Sequence, residues 1–299
     1  MNGVLLVLTV ESGLHAGAGE SIGTIDMPIQ RNVATRYPQV HGQSLKGAAR
    51  RLYRDHARNK PSLANGSEFA EEDVFGSIEN GTGWLSVGDA VLAAFPVPST
   101  KNCFAWVTSP LALEEVRRRV ILCGLPPTAL PPSPLTDEDA FVGTDEDAFV
   151  GTGGWVGQVD LGDFRVKTTL DENVKDWATW LSNCLPTQLS HCKTKMATDL
   201  VVVSDALLAD LTIEFTEVSA RIQLETEQKT VANGPFYCEY LPSNTVLVSR
   251  LGVASPSKER QDALKGVYDD KCWQIGGDES IGKGLVWSTI MDGSERTDG

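Results

Sequence analysis

A glycine-rich segment near the end of the sequence has a spacing that could support phosphate chemistry. Residues 276–287 read GGDESIGKGLVW, in which Gly277 and Lys283 fit the GxxxxGK spacing of a nucleotide-binding P-loop. That loop needs Ser or Thr after the lysine to hold magnesium, and this chain has Gly284. Two acidic residues inside the loop would also repel a triphosphate. The segment therefore does not predict a nucleotide hydrolase. Gly282 and Gly284 on either side of Lys283 permit a ligand to approach the backbone closely, and a plain glycine-rich turn before a strand is the alternative.

Positive charge is concentrated in one segment of an otherwise acidic chain. The formal net charge is −14, yet residues 31–60 hold eight Lys or Arg side chains against one acid. Lys46, Arg50 and Arg54 recur at helical spacing and predict one basic helix face, with Ser44 capping the helix start. Such a face, at the positive end of a helix, could bind a phosphate backbone. From composition alone, a solvated helix face explains the charge equally well.

These residues must be positioned by a folded core, and 299 residues with 41% hydrophobic content are enough to build one. The apolar run 3–10 predicts a first strand, 11–43 a long ordered loop, and 45–58 the basic helix. Alternating residues over 218–238 predict a long hairpin. Further strands are predicted at 84–95, 155–166, 200–204, 271–275 and 284–290, and further helices at 111–123, 174–185, 205–211 and 258–268.

Strands and helices alternate in this pattern without a strict βαβ period. The pattern is typical of an α+β chain built on ferredoxin-like units, here as one domain over residues 1–299. Residues 126–134 contain five prolines, and the octapeptide TDEDAFVG then occurs twice, at 136–143 and 144–151. The prolines and acids predict that 126–151 is a solvated insertion on the surface of the domain.

The composition also bears on the cellular location of the protein. No apolar run reaches the length of a membrane helix, and the first residues carry no basic region of the kind that begins a signal peptide. The six cysteines match no zinc-binding spacing and are predicted to be free thiols. We therefore expect a cytoplasmic protein without a membrane partner.

Four separated stretches resemble the RAMP proteins of CRISPR systems. Residues 25–53, IDMPIQRNVATRYPQVHGQSLKGAARRLY, combine an aspartate loop, a proline and a Gly-x-Ser-Leu-Lys-Gly pattern before a basic helix. The glycine-rich loop at 276–287 is the second stretch. LVVVSD at 200–205 and GPFYCEYLP at 234–242 resemble later blocks of the backbone subunits of type III-B (Cmr) effector complexes. The resemblance spans residues 3–290 and leaves out 126–151.

The resemblance implies an RRM-like or ferredoxin-like palm with inserted lobes and a β-hairpin thumb, for which 218–238 is the candidate. It implies that several copies stack along one guide RNA, with other Cmr subunits as partners. It also implies an endoribonuclease that cleaves guide-paired target RNA at regular intervals. A guide-binding scaffold without catalysis, and the backbone subunit of the related Csm complex, are the alternatives.

The same resemblance assigns roles to single residues. Asp26 matches the catalytic aspartate, which would either hold a divalent cation, Mg²⁺ or Mn²⁺, or help to deprotonate the attacking ribose 2′-hydroxyl. His15, Glu239 and Tyr240 are its candidate partners in catalysis. Seven residues are candidate RNA ligands: Ser44, Lys46, Arg50, Arg54, Gly282, Lys283 and Gly284.

Overall fold

The structure is a computed structural model that describes residues 2–19, 25–59, 69–126, 130–132, 147–224 and 231–292. Its helices are α1 Gly42–Asn59, α2 Glu71–Phe75, α3 Pro110–Leu122, α4 Glu172–Cys184, α5 Ser190–Thr198, α6 Asp205–Glu214 and α7 Lys258–Tyr268. Its strands are β1 Asn2–Val10, β2 Gln39–Val40, β3 Leu85–Val87, β4 Ala90–Pro98, β5 Phe104–Thr108, β6 Asp147–Val150, β7 Gly157–Leu161, β8 Phe164–Leu170, β9 Leu200–Val202, β10 Glu217–Leu224, β11 Val231–Tyr240, β12 Val246–Val253, β13 Lys271–Gln274 and β14 Leu285–Met291.

One large mixed sheet organises the described part of the chain. Its strands follow the order β13-β14-β1-β12-β4-β5-β9-β6-β8-β7, with β2 paired to β4 and β3 paired to β12. Most neighbours are antiparallel, whereas β5 with β9 and β6 with β8 are parallel. Sheet and helices together have the predicted α+β character.

The first strand contains the apolar run Val4–Leu8 because both of its faces are buried. Leu6 and Leu8 point into the core layer shared with α1, α6 and α7, whereas Leu5 and Val7 point into the opposite layer with α3 and α4. β1 also has neighbours on both edges, β12 and β14. A strand buried on both faces and both edges has no position for a polar alternation, which explains the run of apolar residues.

The strands β10 and β11 form a separate antiparallel hairpin, and the end of β11 contacts described residues of the loop after β1 through the bridges Leu14–Leu241 and Met27–Cys238. This arrangement confirms the predicted hairpin at 218–238, which extends by one residue at its start and by two at its end. Residues of β10 and β11 that pair directly share one face of the hairpin, so its two faces contact different loops at its base.

Most predicted elements are present, although several boundaries need correction and two helices were missed. α1 begins at Gly42 rather than after Ser44, because the Asp89 carboxylate accepts the Gly42 N–H (2.6 Å). The short helix α2 and the helix α5 had not been predicted. The region 84–95 divides into β3 and β4.

The predicted insertion also ends earlier than expected. Its last residues form β6, which pairs with β8 and β9 inside the large sheet, with Ala148 and Val150 buried. The surface interpretation is therefore wrong for 147–150 and for the buried Leu130, while 127–129 and 133–146 lie outside the described residues. None of the helices in the described ranges is long and apolar enough to cross a membrane.

Candidate functional site

The edge of β11 that does not pair with β10 binds the side chains of two predicted catalytic residues. The Tyr237 N–H donates to the Asp26 carboxylate (2.8 Å), and the Glu239 carbonyl accepts a hydrogen bond from Nδ1 of His15 (2.8 Å). Between them, Met27 N donates to the Tyr237 carbonyl and Glu239 N donates to the Met27 carbonyl, both at 3.0 Å. Asp26 and His15 are therefore fixed to main-chain groups two residues apart, a spacing of about 7 Å along a strand.

His15 is held in one tautomer by this contact. A carbonyl oxygen only accepts, so Nδ1 of the neutral ring carries the proton and Nε2 carries the lone pair. Residue 17 is glycine, and a Cβ there would lie 2.9 Å from Nε2. A side chain at position 17 would obstruct Nε2, so Gly17 leaves that nitrogen approachable.

Glu239 is buried, with only 3% of its surface exposed, beneath the Asp26 loop. One carboxylate oxygen accepts the Ile29 N–H (3.0 Å). The other accepts hydrogen bonds from Nη2 of Arg31 (2.6 Å) and the Thr216 hydroxyl (2.9 Å). These contacts attach the segment after Asp26 to the base of the hairpin, and they suit a positioning role better than direct contact with a substrate.

Tyr240 is fully buried on the other face of the hairpin and contacts the glycine-rich loop. Its hydroxyl donates to Oδ2 of Asp278 (2.9 Å) and accepts from Arg221, whose guanidinium also pairs with both oxygens of Asp278. Burial raises the pKa of Tyr240. Burial alone would raise the pKa of Asp278 too, but hydrogen bonds from Arg221 and Tyr240 outweigh it and lower that pKa. The cluster keeps Asp278 ionised and joins β10 to the loop.

The glycine-rich loop packs against the His15 segment. Gly277 N donates to the His15 carbonyl (3.0 Å), and Lys283 lies with its Nζ 4.7 Å from the centre of the Tyr240 ring. Gly282 (φ 75°) has open space where a Cβ would be, whereas a Cβ at Gly284 would lie 2.2 Å from the Ile275 carbonyl. Gly284 is therefore needed for packing within the chain itself.

The basic face of α1 is partly neutralised. Arg50 and Arg54 both pair with Glu71, at 2.5 Å and 2.7 Å. Across the described ranges, Lys46 forms no ion pair or hydrogen bond. Ser44 lies in the first turn of the helix, where its hydroxyl accepts from the Gln30 side chain (3.3 Å).

The structure thus gathers His15, Asp26, Glu239 and Tyr240 at the base of the hairpin, with Lys283 on the Tyr240 side. The α1 residues Ser44, Lys46, Arg50 and Arg54 form a second group, and among the described residues no hydrogen bond or ion pair joins it directly to the first. The two regions are connected by Gln30, which donates to the Ser44 hydroxyl and to the Gly17 carbonyl, and by the pair of Arg51 with Glu279. Sequence reasoning missed the roles of Arg31, Glu71, Arg221 and Asp278. Of these four, only Asp278 stood out in the sequence, as an acidic residue of the glycine-rich loop, where its charge argued solely against nucleotide binding.

At this site a divalent cation would have one side-chain ligand, the carboxylate of Asp26. Within the described ranges, no three His, Cys, Asp or Glu side chains are grouped closely enough to hold a metal. Magnesium is commonly held by one or two carboxylates, with phosphate oxygens and water as the remaining ligands. Asp26, which is exposed, fits that kind of site only when an RNA phosphate supplies part of the coordination.

Comparison with known proteins identifies the family. The RAMP superfamily model matches residues 7–287, and this chain belongs to that superfamily. The CRISPR system Cmr endoribonuclease Cmr4 of Pyrococcus furiosus is 30% identical, over 98% of this chain and 97% of its own length.

Solved structures agree with this assignment. The crystal structure of oligomeric Cmr4 from Pyrococcus furiosus has a TM-score of 0.70 at 26% identity, covering 98% of this chain and 100% of the other. A chain of the cryo-EM structure of Type III-B Cmr-beta bound to cognate target RNA has a TM-score of 0.71 at 21% identity, with 97% of both chains covered, and shows the shared fold. The predicted family and α+β fold class are confirmed. The roles of the individual site residues remain predictions.

Proposed function

We propose that this chain is a backbone subunit of a type III-B Cmr complex, which binds guide RNA and cleaves the paired target RNA. The observation that carries the proposal is the edge of β11, which fixes Asp26 and His15 side by side in a chain related over its whole length to a Cmr endoribonuclease. The partners are further copies of the chain, other Cmr subunits, guide RNA and target RNA. A cytoplasmic location belongs to the same proposal, and the six free thiols are compatible with it.

The chemistry begins at the ribose 2′-hydroxyl of the target strand. Its oxygen attacks the adjacent phosphorus, the bond to the 5′-oxygen of the next nucleotide breaks, and the hydroxyl proton must leave. Asp26 uses one carboxylate oxygen to accept the Tyr237 N–H, and the other oxygen serves as the proton acceptor. Nε2 of His15, with its lone pair, is a second group that can take up or return a proton.

A divalent cation, Mg²⁺ or Mn²⁺, is the alternative use of Asp26. It would be held by the Asp26 carboxylate and RNA phosphate oxygens, and it would stabilise the negative charge that develops on the phosphate. Under either use, Asp26 acts on the chemical step, because a carboxylate near a phosphate gains nothing for binding alone.

The test is Asp26→Asn in the assembled complex. Guide and target binding should stay within a few-fold of wild type, while cleavage should fall by about a hundredfold or more, the range for losing an acid–base group. A chelator should abolish wild-type cleavage if Asp26 works through a cation, and should leave it unchanged if Asp26 acts as the base. Normal cleavage by Asp26→Asn would mean that this chain is a scaffold or that its nuclease site lies elsewhere, and failed assembly would make Asp26 a structural residue.

A further inference from the structure

Two arginines of the basic face of α1 are held by one carboxylate of the same chain. Nε of Arg50 lies 2.5 Å from Oε1 of Glu71, and Nε of Arg54 lies 2.7 Å from Oε2. Nη2 of Arg54 adds a bond of 2.8 Å to Oε1. The hydrogen bonds from Arg54 and Arg50 outweigh the effect of burial and lower the pKa of Glu71 to about 2, so it is ionised at neutral pH.

Glu71 is presented by an anchored element rather than by a loose loop. It begins α2, whose Val74 and Phe75 are buried. The Phe75 ring packs edge-on against Tyr53 of α1, with 5.7 Å between centroids. The Tyr53 hydroxyl also donates to the Phe69 carbonyl just before α2 (2.6 Å). The carboxylate is therefore kept beside the two arginines by core packing.

The same kind of pairing occurs beside the glycine-rich loop. Lys283 lies 3.1 Å from Glu217, and Arg51 forms two bonds to Glu279, at 2.6 and 2.8 Å. The carboxylates of these two pairs are more exposed, at 44% and 51%, than that of Glu71, which is 23% exposed and serves two guanidiniums at once. Glu71 is consequently the strongest internal partner of this basic surface.

A carboxylate and a phosphate compete for an arginine because both offer anionic oxygens to the same fork of N–H donors. We propose that Glu71 is a specificity-determining residue that competes with RNA phosphates for Arg50 and Arg54. An RNA backbone binds these two arginines only when its phosphates displace the Glu71 carboxylate. Isolated strands therefore bind weakly, whereas a guide strand placed by several subunits supplies a phosphate at the position needed. This inference rests on the proposed RNA-binding function.

The experiment measures binding of a fluorescent 30-nucleotide single-stranded RNA of arbitrary sequence to the full chain by anisotropy, over a salt series. Glu71→Gln should bind about fivefold more tightly at 0.1 M salt, with a slope of log affinity against log salt steeper by about 0.7, because one net positive charge is released. Adding Arg50→Ala and Arg54→Ala to Glu71→Gln should remove the gain. The matched control is Glu172→Gln, which removes an exposed carboxylate 3.5 Å from Lys175 on another helix.

The outcomes separate the inference from the function on which it rests. If wild type binds RNA and Glu71→Gln, still folded at the assay temperature, binds equally or more weakly, Glu71 is no competitor and the inference is overturned. If no variant binds RNA at any salt concentration, the proposed function fails and the inference fails with it. Should Glu71→Gln unfold below the assay temperature, Glu71→Asp replaces it in the binding measurement, because its shorter side chain cannot reach both guanidiniums.

Discussion

Replacement of Glu239 by glutamine distinguishes a positioning residue from a catalytic one. The buried carboxylate accepts hydrogen bonds from Ile29, Arg31 and Thr216, and an amide has only one oxygen to offer. If that oxygen still accepts hydrogen bonds from Arg31 and Thr216, the amide NH₂ group faces the Ile29 N–H. The Ile29 N–H is then a buried donor without an acceptor. That loss costs about 1–3 kcal/mol. Removing the negative charge from Arg31, which is 17% exposed, adds a cost below the 3–5 kcal/mol of a fully buried broken pair.

Together these effects predict a destabilisation of about 3 kcal/mol. At about 2 °C per kcal/mol for a large domain, the melting temperature should fall by roughly 6 °C. Because the same contacts hold the segment that follows Asp26, cleavage should fall together with stability. Thermal unfolding by circular dichroism and a cleavage assay of the assembled complex measure the two effects.

The matched control is Glu217→Gln at the start of the same hairpin. Its carboxylate is 44% exposed and pairs with Lys283, so the change should cost no more than about 1 kcal/mol. If Glu239→Gln melts within a degree of wild type and yet abolishes cleavage, Glu239 contacts the reacting groups directly. The positioning argument would then be refuted.

Three further predictions concern charge and the repeated segment. Lys46→Ala with Arg50→Ala should weaken guide-RNA binding and flatten its salt dependence, mostly through Lys46, whose charge is not offset by Glu71; unchanged retention across a salt series would contradict this. Deleting 136–143 or 144–151 gives one identical chain that still contains the β6 sequence, so melting temperature and cleavage should stay near wild type; a large loss of melting temperature would contradict that. The pKa of Glu71 is about 2 instead of the ordinary 4.5, so its stabilising contribution is complete above pH 4.5 and is lost as pH falls towards 2. Urea unfolding should therefore show a stability gap between wild type and Glu71→Gln at pH 7 that narrows by pH 3; a constant gap would contradict the pairing.

The elements with a strong local pattern could be predicted from the sequence. The helix α7 occupies the predicted residues 258–268, and β1 and α3 agree to within one residue at each end. The helices α3 and α7 have apolar residues at helical spacing, whereas β1 is a short uninterrupted apolar run. The helix α5 escaped prediction because only Met196 of its residues is buried, so its sequence carries almost no apolar stripe.

Prediction failed where local composition and tertiary packing disagree. The acidic residues of the repeat suggested a solvated segment, although Ala148 and Val150 alternate as a half-buried strand requires. The start of α1 was misplaced because its cap, Asp89, is 47 residues away in sequence. The partners of Arg50 and of Glu239 are likewise distant in sequence, so the residue types were visible while their pairing was not.

The anchoring of Asp26 and His15 to main-chain atoms of β11 has a consequence for how this chain tolerates sequence drift. The contacts use the N–H of Tyr237 and the carbonyl of Glu239, groups that nearly every amino acid supplies. The relative position of the two functional side chains therefore depends on the main chain of β11 and not on its side chains. Among single replacements at 237, proline is the one that removes the N–H, so distant relatives could keep the same alignment with a different residue at that position.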